Sequence, residues 1–197
     1  MDAKSIALII TFAALAIVLN PAISGMGIPY PLLVGLWFQV WEIPIMVAFL
    51  LFGFKIAVAA GLINVGFLLA VFPGPSQPYY PTNIIAQLGM MLGIYLASRI
   101  LSRNASTDNP VSKPKLVSLS ILLAILFRVT FMAPVMFGIL YLDPLQMFPT
   151  TPAWYIVAII WPPQAIFNVI LPLYMIPSSY LIARLISRNM KVGNRVM

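Results

Sequence analysis

Glu42 and Arg128 stand deep in apolar sequence, and they are the charged groups best placed to act inside this chain. A charge at the centre of a bilayer costs about 2.5–3.5 kcal/mol even on the most lenient insertion scale, so a chain that keeps one there pairs it or uses it. Counted along their apolar stretches, Glu42 lies about ten residues from one side and Arg128 about twelve from the other, which at 1.5 Å per residue is roughly 15–18 Å of depth. Matched depth lets them meet across a bundle. One reading is an ion pair that only clamps helices. The other is a polar cavity in which a substrate binds near the midplane. Pro44, two residues after Glu42, removes a backbone donor and leaves groups that only a cavity or a neighbour can satisfy.

Amide side chains recur in the same apolar stretches: Gln39, Asn64, Asn83, Gln87, Gln164 and Asn168. Singly, each reads as interhelical glue worth about 1–2 kcal/mol at most. Together, with Trp37, Trp41, Trp154 and Trp161 nearby, they suit a neutral, flat, hydrogen-bonding organic molecule better than an ion. An ion pathway would want more carboxylates than Glu42. Tyr30 lies in a Pro- and Tyr-rich segment, Ile28-Pro29-Tyr30-Pro31, and a second such segment runs from Pro73 to Pro81. These read either as interfacial aromatic belts or as rigid lids over a pocket. The candidate substrate-binding residues are thus Tyr30, Trp37, Gln39, Trp41, Glu42, Asn64, Asn83, Gln87, Arg128, Gln164 and Asn168. No catalytic residue, metal ligand or cofactor is expected. Without His or Cys there is no imidazole or thiolate chemistry, and a Ser–Lys dyad is disfavoured because every Lys falls in a cytoplasmic segment. The chain lacks a Gly-x4-Gly-Lys-Ser/Thr loop, so it is not expected to hydrolyse ATP by itself.

The elements that must hold these residues follow from hydropathy and charge. The 197 residues are 62% hydrophobic and 8% charged, with a mean hydropathy of +1.02, whereas soluble chains carry about 25% charged residues. Apart from Arg128 the basic residues fall in five places: Lys4; Lys55; Arg99 with Arg103; Lys113 with Lys115; and Arg184, Arg188, Lys191 and Arg195. Basic residues accumulate on cytoplasmic loops. The distribution predicts an all-α polytopic bundle of six transmembrane helices in the cell membrane, with both termini inside. The expected spans are 5–19, 32–52, 56–72, 83–101, 116–140 and 164–186, in one integral membrane domain covering 1–197. The net charge of +7 reads as a rim facing anionic lipid and not as a nucleic-acid surface. The first span could instead be a cleaved signal peptide, though Asp2 offsets Lys4 and no small-x-small cleavage site stands out. The polar, proline-broken segment 102–115 is expected to be a flexible cytoplasmic link between two three-helix halves.

Ala3, Ala7, Thr11 and Ala14 place small residues along one face of the first span. Such a face either packs within the bundle or lets a separate subunit approach closely.

Glu42-Ile43-Pro44, the run to Phe52-Gly53, and Ala59-Ala60-Gly61-Leu62-Ile63-Asn64 together resemble the substrate-binding S-components of energy-coupling factor vitamin transporters. Arg128-Val129-Thr130-Phe131-Met132 and Phe167-Asn168-Val169-Ile170 are similar to segments of the riboflavin-specific branch. Departures are Glu42 in place of the more usual Asp, Asn64 without a preceding Lys, and Leu171 in place of a Lys. The resemblance implies capture of a vitamin such as riboflavin from outside. It also implies a membrane-embedded coupling subunit and two ATPase subunits as partners, with the face of Ala3, Ala7, Thr11 and Ala14 as their interface. Two other readings stay open: a structural or assembly subunit of a membrane complex, and a small ion-coupled carrier.

Overall fold

The computed structural model describes residues 1–33, 36–72, 80–102, 114–142 and 152–190. The fold is an all-α bundle with one minimal ribbon. Helix α1 (Ala3–Val18) is capped by Asp2, whose carboxylate accepts the Ser5 N–H at 3.0 Å. A one-turn helix α2 (Pro21–Ser24) ends at Gly25, at φ 65°, a conformation glycine adopts without penalty. Strands β1 (Ile28–Pro29) and β2 (Trp37–Phe38) pair antiparallel. Then come α3 (Glu42–Phe52), α4 (Phe54–Val71), α5 (Tyr80–Ser102), α6 (Pro114–Leu142) and α7 (Ala153–Met190).

Among the described residues, four helices are long and apolar enough to cross a membrane: Phe54–Val71, Tyr80–Leu101, Pro114–Ile139 and Ala158–Asn189. Helices α1 and α3 are apolar but shorter. At 11 residues α3 is about 16 Å long, half of a hydrocarbon core of about 30 Å. It is nonetheless the axis of the bundle: Pro44 and the run Ile45–Leu51 are buried, and α1, α4, α5 and α7 pack around it. Gly53, at φ 89°, turns the chain directly from α3 into α4. That turn marks one end of the bundle, and the ribbon marks the other.

Three expectations are corrected. The span 32–52 is not one helix, because Trp37–Phe38 pair with Ile28–Pro29 in the ribbon and helix begins only at Glu42. Pro44 is therefore the third residue of a helix, where the missing N–H would have had no helical partner, and not a break in its interior. The sixth helix starts at Ala153, well before residue 164, and carries Pro162, Pro163, Pro172 and Pro177 within it. Finally, the segment 102–115 follows the fourth of the six expected spans, so it divides the chain four and two, not three and three; residues 103–113 themselves lie outside the described residues. The second Pro- and Tyr-rich segment is outside them from 73 to 79.

Candidate functional site

Glu42 opens α3 as its first helical residue, with no exposed surface, where the positive end of the helix favours its carboxylate. Arg128, at 3% exposure, meets it: Nη1 donates to Oε2 at 2.7 Å and Nη2 to Oε1 at 3.3 Å. The guanidinium is held on its other sides as well. Nε donates to Asn168 Oδ1 at 3.0 Å, and Nη1 also reaches the Met90 sulfur at 3.3 Å. Asn168 is oriented in turn by donating from Nδ2 to the carbonyl of Gln164, one turn earlier. The ion pair foreseen from matched depth is thus present, and its network draws on α3, α5, α6 and α7.

The position of Arg128 is set by backbone contact. Gly89 and Gly93 lie one turn apart on α5, facing Arg128 and Ala124, one turn apart on α6. A Cβ added at Gly89 would stand 3.0 Å from the backbone N and Cα of Arg128, and one at Gly93 would fall on the backbone of Ala124. Small residues four apart are the usual device for bringing membrane helices together. The Gly89-x3-Gly93 spacing is legible in the sequence and was the missed signal for how Arg128 is placed.

The ribbon end is fastened over this network by phenols. Tyr30, buried at the end of the β1 strand, donates from its hydroxyl to the Pro163 carbonyl at 2.9 Å. Its ring packs edge-on to Phe38 at 5.4 Å and against Phe167 at 5.2 Å. The Tyr174 hydroxyl donates to the Gln39 carbonyl at 2.8 Å and accepts the Gln39 N–H at 3.2 Å. Non-helical backbone beside a buried charge needs partners from protein or water, and one phenol supplies both for Gln39.

Other buried polar atoms have no such partner. Among the described residues, five buried side-chain atoms make no hydrogen bond: Trp41 Nε1, Asn64 Nδ2 and Oδ1, Gln87 Nε2 and Gln164 Oε1. Trp41 immediately precedes Glu42, and Gln87 precedes Met90 by one turn on α5. The Gln87 amide lies across Gly61 of α4, whose added Cβ would be 2.7 Å from Oε1; Asn64 is one turn further along α4. Gln164 and Asn168 line a crevice between α6 and α7 with Val129, Met132, Met136 and Trp161. Its free volume is about 10 Å³, room for about one water, against about 300–1,000 Å³ for an organic ligand pocket.

Other candidates fall elsewhere. Trp37 is 43% exposed on the ribbon, Trp154 is 68% exposed near the start of α7, and Asn83 is half-buried one turn before Gln87. Gln39 takes part through its backbone. On α1 the buried face is Ile9, Phe12, Ala13 and Ala16, so Ala3, Ala7, Thr11 and Ala14 are all exposed. Compared with family models, curated proteins and solved structures, the chain matches none.

Proposed function

We propose that this chain is the substrate-capturing membrane subunit of a vitamin uptake transporter of the energy-coupling factor type, and that it binds a neutral, flat ring system with riboflavin as first candidate. The observation that carries the reading is the group of five buried polar atoms without partners. Each such atom costs about 1–3 kcal/mol if nothing meets it, and native interiors hold few of them without a reason. Trp41, Asn64, Gln87 and Gln164 are indole and amide groups, which meet the donors and acceptors of a heterocycle. The resemblance of the Glu42-Ile43-Pro44 and Phe167-Asn168 segments points to the same class.

In this reading the chain crosses the cell membrane six times with both ends inside, the ribbon end faces outward, and the ribbon lifts to admit the ligand. A vitamin needs more room than the crevice between α6 and α7 offers, so binding spreads the ribbon end. The exposed face of Ala3, Ala7, Thr11 and Ala14 receives the coupling subunit, and two ATPases joined to that subunit supply the energy. The second reading, an assembly subunit whose ion pair only clamps helices, draws on the saturation of Arg128 by protein groups.

Titration of riboflavin into the purified protein separates the two. Capture should quench flavin fluorescence, and Gln164→Ala, which removes one hydrogen bond worth about 1 kcal/mol, should weaken binding about fivefold. If neither a flavin nor any other ring-bearing vitamin binds at millimolar concentration, the capture reading is wrong and the clamp reading replaces it.

A further inference from the structure

Glu42 and Arg128 are the buried charged side chains among the described residues, and they neutralise one another. Both carboxylate oxygens face the guanidinium, and its remaining contacts go to Asn168 and Met90. The pair thus holds no uncompensated charge for a ligand to meet. The five unpartnered atoms are neutral as well. Trp41 Nε1, Asn64 Nδ2 and Gln87 Nε2 ask for acceptors, whereas Asn64 Oδ1 and Gln164 Oε1 ask for donors. Turning the Asn64 amide over still leaves one unmet donor and one unmet acceptor there, so a demand for both persists.

We infer that the site selects by charge, admitting a neutral ring and refusing an anionic one of the same shape, and that Glu42 sets this preference by occupying Arg128. The inference rests on the capture reading and names the charge class of its ligand. A carboxylate only accepts hydrogen bonds. Brought into the site, it would lose its own hydration and find the buried Arg128 already engaged by Glu42, leaving only neutral donors to meet its charge. Without the Glu42 charge, Arg128 becomes an unpaired buried cation, the environment that recruits anions.

The test uses three flavins: riboflavin, an analogue with a ring carboxylate in place of one ring methyl, and the corresponding ring carboxamide as a neutral control of equal size. The wild-type protein should bind the carboxamide at least tenfold more tightly than the carboxylate, and Glu42→Gln should shrink that ratio at least tenfold. A smaller ratio in the wild type, or a ratio unmoved in a folded Glu42→Gln protein, overturns the inference. Should Glu42→Gln fail to fold, Asn168→Asp serves instead: it sets a second carboxylate against Arg128 Nε and should widen the ratio, and an unchanged ratio again refutes the proposal. If riboflavin and the carboxamide both fail to bind wild type, the capture reading itself has failed, an outcome distinct from equal binding of all three.

Discussion

Arg128 makes four contacts, two of them to one carboxylate, and that geometry decides what its loss would do. Removing one member of a buried pair strands the other, at a cost of about 3–5 kcal/mol, whereas removing both strands neither. Glu42→Gln and Arg128→Gln should therefore each destabilise strongly, and the double variant should lose much less than their sum when unfolding is followed in detergent. Additive losses would show that the two charges are not coupled. Tyr174→Phe tests a different residue: it deletes the one hydroxyl serving both backbone groups of Gln39. We expect a loss of about 1–3 kcal/mol, with faster hydrogen exchange at the Gln39 amide as the local readout. The pairing of Glu42 with Arg128 was legible in the sequence because a charge in an apolar run has few ways to persist. The work of Tyr174 was not, since a tyrosine in an apolar helix carries no mark of the backbone it will meet across the bundle. Trp37 and Trp154 illustrate the same limit, because an aromatic residue suits a pocket wall and an exposed interfacial position equally well.

Among elements, the contact of α5 with α6 is the most exacting. A methyl group at Gly93 would collide with the Ala124 backbone, which cannot swing aside as a side-chain end can. Gly93→Ala should destabilise by about 1–3 kcal/mol, the usual cost of overpacking. Gly66→Ala on α4 is the control: nothing lies within 4 Å of its added Cβ, so helix propensity alone should make it neutral or stabilising by up to about 1 kcal/mol. Thermal unfolding of the two variants checks both signs; equal effects would mean that the close approach does not bear on stability. The apolar runs announced where helices lie but not where they begin. Between 32 and 41 the sequence is apolar enough for a span, yet Trp37–Phe38 pair in the ribbon, and the first-turn proline Pro44 is the local sign of the true start at Glu42. Residues 153–163 lie outside the expected span 164–186 and yet are helical, because a helix 38 residues long absorbs prolines whose neighbours pack around it.

For the molecule as a whole, orientation in the membrane is the first quantity to measure. The chain has no cysteine, so single cysteines report cleanly. Met26 near the ribbon and Phe54 at the opposite end are both exposed. An impermeant reagent added outside intact cells should label Met26→Cys and spare Phe54→Cys, and the reverse pattern would invert the proposed topology. The exposed α1 face predicts a separable phenotype: Ala7→Trp should leave flavin affinity and stability unchanged while preventing co-purification with a coupling subunit. Loss of flavin binding in that variant would place the face inside the capture machinery instead. The seam at Gly89 and Gly93 has one more implication. It joins the first four long or apolar helices to the last two through direct backbone contact, in addition to the covalent thread between Ser102 and Pro114. Severing that thread should therefore be tolerated: two separately translated pieces, meeting in the same bilayer, would be expected to find each other and rebuild the Glu42–Arg128 pair from opposite sides of the cut.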